Sequence, residues 1–133
     1  MTRFALDAPT LLHVVLDAVE CRPEHQLVAP NSIRTDALSL LFIAVTSGEM
    51  TEGDALAHHD RITELKMRLL GDRVSRRTAW RLCREHGWDD LRTAEHLAVC
   101  RLQADALVTV DPAMSARATG IVPVAPLSAL MRP

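Results

Sequence analysis

A few carboxylates in this chain stand where an acidic side chain is either costly or placed for work. Asp7 closes the short apolar segment Phe4 to Leu6, and Asp111 closes the apolar run Ala106 to Val110. Asp36 lies three residues after Ile33 and four before Leu40, inside an apolar helical stripe instead of opposite it. Asp89, Asp90 and Glu95 stand before and within the helix that leads into the Ala106 run. Hard divalent cations take oxygen ligands, and Mg²⁺ is usually held by one or two carboxylates with waters and substrate phosphate completing the shell. Converging acids on an α/β sheet therefore suit phosphodiester hydrolysis, in which the cation lowers the pKa of the attacking water and neutralises the scissile phosphate. Capping is the alternative role for two of them: Asp111 before Pro112 has the composition of a helix N-cap followed by proline, and Asp7 can cap a helix starting at Ala8. Capping does not account for Asp36, whose charge in an apolar stripe is costly without a partner; its alternative is a stripe-edge side chain that reaches solvent.

The elements that must position these acids read as alternating helices and strands. Ala94, Leu97, Ala98 and Leu102 recur at helical spacing, and Ala106 to Val110 is too short for a helix and rich in β-formers. Pro112 to Ala118 then forms a helical turn, Gly120 stops it, and Ile121 to Val124 is a second strand, so the segment is a βαβ unit. Parallel strands bind ligands outside their carboxyl ends, which is where Asp111 lies. Earlier in the chain, Phe4 to Leu6 is a minimal strand, residues 8 to 20 a helix, and Leu27 to Ala29 either a short strand or an entry loop. A second helix runs from about Ile33 to Ser47 and is stopped by Gly48. A third starts at Thr51 and runs through Ile62, Leu65 and Leu69 to Gly71. Ser75 is expected to cap a fourth, which buries Ala79, Leu82, Cys83 and His86 and ends at Gly87. On its opposite face Arg73, Arg77, Arg81 and Arg84 form a stripe of one sign, either a solvated face or a set of RNA phosphate contacts.

Length and composition bound these readings. At 133 residues the chain is expected to be one domain, 1–133, with a single real core. Met1 to Asp7 has no apolar leader region, and no apolar run approaches the roughly 20 residues of a membrane span, so a cytosolic location is expected. Cys21, Cys83 and Cys100 are odd in number and widely spaced, which fits reduced thiols better than disulfides or zinc ligands. His58 and His59 read as helix surface and edge. A formal net charge of −2 means that nucleic-acid binding would come from a local patch, and the scarcity of aromatics argues against a base-stacking platform. The broad apolar faces of the second and third helices predict a homodimer and a groove for a partner helix.

Three motifs, FALDAPTLL, LVAPNSIRTDALSLL and TAEHLAVCRLQADALVTVD, occur in the order and spacing of the PIN-domain family, and nearly the whole chain resembles its VapC-like toxins. The piece ALVTVD is the most specific. The resemblance implies a three-layer α/β/α fold around a short parallel sheet and an Mg²⁺- or Mn²⁺-dependent ribonuclease site. It also implies homodimers and a small antitoxin partner. By the same resemblance Asp7 is the first acid and Asp111 the last, Asp36 stands where glutamate is usual, and these are the implied catalytic residues. The third acid departs from the pattern, with Thr93 where aspartate is expected. Asp90, one turn earlier, and Glu95 are the remaining carboxylates for the metal, although a two-residue step rotates Glu95 by about 200° from Thr93. A protein of this fold that binds RNA or antitoxin without turnover is the rival function. A dinucleotide-binding enzyme is disfavoured, because no glycine fingerprint follows the first strand.

Overall fold

Alternation along two short strands explains the architecture. A computed structural model describes residues 1–131. Strand β1 (Arg3–Leu6) turns Phe4 and Leu6 to one face and Ala5 to the other, and β4 (Ala106–Val108) does the same with Ala106 and Val108 against Leu107. Each face is covered by helices. On the first, α1 (Ala8–Leu16), α2 (Ile33–Thr46) and α3 (Glu52–Glu64) contribute Leu11, Val14, Ile33, Ala37, Leu41 and Ile62. On the second, α4 (Arg73–His86), α5 (Leu91–Gln103) and α6 (Pro112–Ala118) contribute Leu82, Ala94, Leu97, Ala98 and Met114. Fully burying a leucine such as Leu11, Leu97 or Leu107 contributes about 2 kcal/mol. The result is a three-layer α/β/α sandwich.

The sheet is parallel throughout, in the order β3-β2-β1-β4-β5, with β2 at Gln26–Pro30, β3 at Arg68–Leu70 and β5 at Val124–Ala125. Ala5 pairs with Val28 on one side and Leu107 on the other. Because the chain first builds outward from β1 through β2 and β3 and then returns to β4, the strand order reverses between β1 and β4. Among the described residues no helix is long and apolar enough to cross a membrane.

Several local expectations are corrected. The first helix ends at Leu16, not residue 20: Asp17 is its C-cap and Ala18 takes a positive φ of 49°, which a helix cannot continue through. The third helix does not reach Gly71. It ends at Glu64, Leu65 is extended, and Arg68–Leu70 pairs with β2 as an edge strand. The fourth helix is capped by Asp72, whose side chain accepts from the Ser75 backbone while Ser75 Oγ accepts from the Asp72 N–H, a reciprocal capping box. His86 is exposed and stacks on Trp88, and Leu102 is also exposed. Gly87 ends the helix at φ 69°, as a left-handed C-cap.

Candidate active site

The reversal of strand order opens a cleft of about 340 Å³ at the carboxyl ends of β1 and β4, where open α/β sheets place ligands. Asp7, Asp36, Asp90 and Asp111 all line it. Three of them are helix N-caps: Asp7 accepts from Thr10 N, Asp90 from Arg92 N and Thr93 N, and Asp111 from Ala113 N. Asp36 sits in the first turn of α2. The positive ends of four helix dipoles thus meet the same space, which favours an anion or phosphate there. Capping and clustering are not alternatives here, since the fold brings the caps together.

Asp7 is 2% exposed, and both oxygens of its carboxylate accept hydrogen bonds. Oδ1 accepts from the Thr10 N–H at 3.2 Å and from the Thr10 hydroxyl, and Oδ2 accepts from Thr109 Oγ1 at 2.7 Å. Both hydroxyls also accept a backbone N–H from the end of β4, Val110 onto Thr10 and Asp111 onto Thr109, each at 3.0 Å. Two threonines therefore tie the ends of β1 and β4 together and hold both strand-end acids in register.

Asp36 has the partner its position demanded. Arg92 Nη2 stands 2.5 Å from Asp36 Oδ1, with the arginine 67% exposed and the aspartate 18% exposed. Ser32 donates to Oδ2 at 3.2 Å, and His96 Nε2 lies 3.8 Å from the same oxygen. The buried His96 ring faces the Leu6 carbonyl through Nδ1 at 3.3 Å. A carbonyl only accepts, so Nδ1 carries the hydrogen and Nε2 faces the acids. Asp90 is tied to the residue at the departed motif position: the Thr93 hydroxyl donates to Asp90 Oδ2 at 2.5 Å. That hydrogen bond, joined by the backbone N–H groups of Thr93 and Arg92, holds the Asp90 carboxyl below its ordinary range.

The donor set suits a hard divalent cation, because the cleft offers carboxylate oxygens and no thiol. Its spacing as folded is wider than an ion cage: among the described residues no three His, Cys, Asp or Glu side chains stand close enough to enclose a metal. Asp36 is the acid already occupied by a cation, that of Arg92. Asp7 and Asp111 are anchored toward one another and carry no cationic partner among the described ion pairs. Glu95 is not part of the cleft; the turn of the helix puts it in a neighbouring groove with Trp80 and Arg76.

Other expected residues lie elsewhere. Arg73, Arg77, Arg81 and Arg84 are all exposed on α4, outside the cleft. Sequence patterns did not single out Arg92, His96, Arg117 or Thr10 as cleft residues, although all but Thr10 line it and Thr10 supports Asp7. Only the helical phase of α5 carried a signal: Arg92 and His96 are four apart, one turn from each other on the same face.

Solved structures with this fold include PAE2754 from Pyrobaculum aerophilum, which matches with a TM-score of 0.71 at 18% identity, over 92% of this chain and 90% of that one. Another is a member of the VapBC family of toxin–antitoxin systems, VapBC-5 from Mycobacterium tuberculosis, with a TM-score of 0.59 at 20% identity, over 95% of this chain and 98% of that one. No protein-family model and no curated protein matches the chain. The likeness is one of fold: the chain has the three-layer PIN-like architecture, and it shares that architecture with a member of a toxin–antitoxin family.

Proposed function

We propose that this protein is a Mg²⁺- or Mn²⁺-dependent endoribonuclease of the toxin–antitoxin type, acting on RNA in the cytoplasm. The observation that supports this most is the meeting of Asp7, Asp36, Asp90 and Asp111 in one cleft at the strand-order reversal. Asp7 and Asp111 would hold the cation, with Asp36 and Asp90 beside them. When bound, it would neutralise the scissile phosphate and acidify the attacking water. The chain itself supplies position and charge. Thr10 and Thr109 fix the strand-end acids, four helix N-termini favour the phosphate, and Arg92 can exchange Asp36 for a phosphate oxygen. The free thiols Cys21, Cys83 and Cys100 fit a reducing compartment.

Purified protein is expected to cut single-stranded RNA when Mn²⁺ or Mg²⁺ is added, and to lose that activity in Asp7→Asn and Asp111→Asn. Cleavage unchanged in both variants would remove the site assignment. A small antitoxin and a homodimer belong to the same reading: VapBC-5 comes from a toxin–antitoxin family, and α2 and α3 leave Phe42, Ile43 and Leu56 exposed for a partner helix to cover. Light scattering that finds only monomer at micromolar concentration, with no small open reading frame beside this gene, counts against both.

Thr93 and the Arg92–Asp36 ion pair favour a second reading, a binder of RNA or antitoxin that has lost turnover. A calorimetric titration with no Mn²⁺ binding up to millimolar concentration selects it.

A further inference from the structure

We propose that the outer face of α4 is a track for single-stranded RNA leading into the acidic cleft, with Trp80 as the platform on which a base stacks. The choice of RNA rests on the ribonuclease reading; the track itself rests on separate observations. Trp80 is 60% exposed, and on a helix Arg76, Arg77 and Arg84 at i−4, i−3 and i+4 share its face. The indole is therefore set among guanidinium groups, the pairing that holds a nucleotide by its base and its phosphate together. α4 carries five arginines against one glutamate, a formal +4 on a chain whose net charge is −2. The local basic patch that the overall charge required is this helix.

Trp80 also stands at a junction of surface grooves. One, of about 270 Å³, runs past Arg76, Trp80 and Leu91 to Arg92, and Arg92 is also a wall of the acidic cleft. A second, of about 400 Å³, continues from Trp80 and Leu91 past Arg84 to Trp88. Glu95 and Asp89 stand on the far walls, so the positive charge lies on the α4 side. Trp88 has a different task. His86 stacks on it with ring centroids 4.7 Å apart and the Arg117 guanidinium sits 5.6 Å from its centroid, while Arg117 also lines the cleft. Trp88 positions an arginine of the site, and Trp80 is the tryptophan left open: the scarcity of aromatics argues against a run of stacked bases, not against one stack on this exposed indole.

The chemistry selects one occupant. An amphipathic protein helix needs a continuous apolar strip, whereas the apolar surface of Trp80 and Leu91 is bordered by the charged groups of Arg76, Arg84, Arg92 and Glu95. In a duplex the base faces are covered by their neighbours, so a stacking platform recognises single strands.

The test is fluorescence anisotropy with a short labelled oligouridylate, with EDTA present so that no cleavage occurs. Trp80→Ala is expected to weaken binding about tenfold, the scale of one lost stack, with an unchanged melting temperature and an unchanged salt slope. Trp80→Phe, which keeps a ring, should bind nearly as the parent does. Arg76→Gln with Arg84→Gln should instead flatten the salt slope, by about 0.7 per lost contact. Unaltered affinity in Trp80→Ala overturns the track, as does equal competition by a duplex of the same sequence. So does a change of oligomeric state in Trp80→Ala at constant RNA affinity, which would make the face a contact between copies. An oligonucleotide bound through Trp80 but never cut in Mn²⁺ sinks the nuclease reading and leaves the track standing. Normal binding and cutting by Trp80→Ala does the reverse.

Discussion

The Thr109 hydroxyl donates to Oδ2 of Asp7 at 2.7 Å, joining residues 102 positions apart at the ends of neighbouring strands. Thr109 Oγ1 in turn accepts the Asp111 N–H at 3.0 Å, so one side chain sets the relation between the first and last acids of the cleft. Thr109→Val keeps the shape and removes both bonds. It leaves an oxygen of the buried Asp7 carboxylate without its donor, and the expected cost is about 1–3 kcal/mol. Urea denaturation should register that loss, together with a fall in RNA cleavage. Thr109→Ser restores the hydroxyl and is expected to recover most of both. A valine variant as stable as the parent would show that the network does not hold the strand ends.

Thr93→Asp tests whether the cleft works as a metal site. The substitution replaces a hydroxyl that donates to Asp90 with a carboxylate that repels it. Without metal the variant should melt lower than the parent. Adding Mn²⁺ should restore or exceed the parental melting temperature, because a ligand that binds only the folded state stabilises it. Cleavage should rise in parallel. A lower melting temperature that Mn²⁺ does not restore, with no new cleavage, leaves the binding-protein reading.

Arg92 competes for the same ground as a cation, since its guanidinium occupies Asp36. Arg92→Gln is expected to tighten Mn²⁺ binding in calorimetry while weakening RNA binding, with a salt slope shallower by about 0.7. The arginine is largely exposed, so the melting temperature should move little. Weaker Mn²⁺ binding in this variant would contradict the competition.

The pH dependence of stability carries the signature of Asp90. Its folded pKa is depressed, chiefly by the Thr93 hydroxyl, so its contribution is present above the unfolded pKa of about 3.9 and is lost as pH falls through the lower folded value. Thr93→Val removes that donor and brings the folded pKa back toward the ordinary one. The variant should be less stable than the parent at neutral pH, and the gap should close as pH drops below the carboxylate range. Urea midpoints measured from neutral to strongly acidic pH would check this; a gap independent of pH would assign the loss to packing.

What could be read from the sequence is local. Period-two and period-3.6 apolar patterns are written in nearest neighbours, so β1, β4, α2, the order of the βαβ unit and the glycine stops at Gly48 and Gly87 were legible, although the unit's second strand is Val124–Ala125 and not Ile121 to Val124. So were Asp7 and Asp111, because a strand end followed closely by a proline helix start is a local signal. The three-layer order followed from the resemblance of the motifs.

Only the tertiary structure decided the rest. Leu65 and Leu69 keep helical spacing, yet pairing with β2 makes Arg68–Leu70 a strand, since hydrogen bonds to a neighbouring strand outweigh a weak local preference in so short a segment. Asp36 announced that it needed a partner but not which one, and Arg92 reaches it only because α2 and α5 begin beside the same cleft. Trp80 looked like one of a few scattered aromatics. Its place between the arginines of α4 and the groove to Arg92 comes from packing α4 against α5, an arrangement that no window along the chain contains.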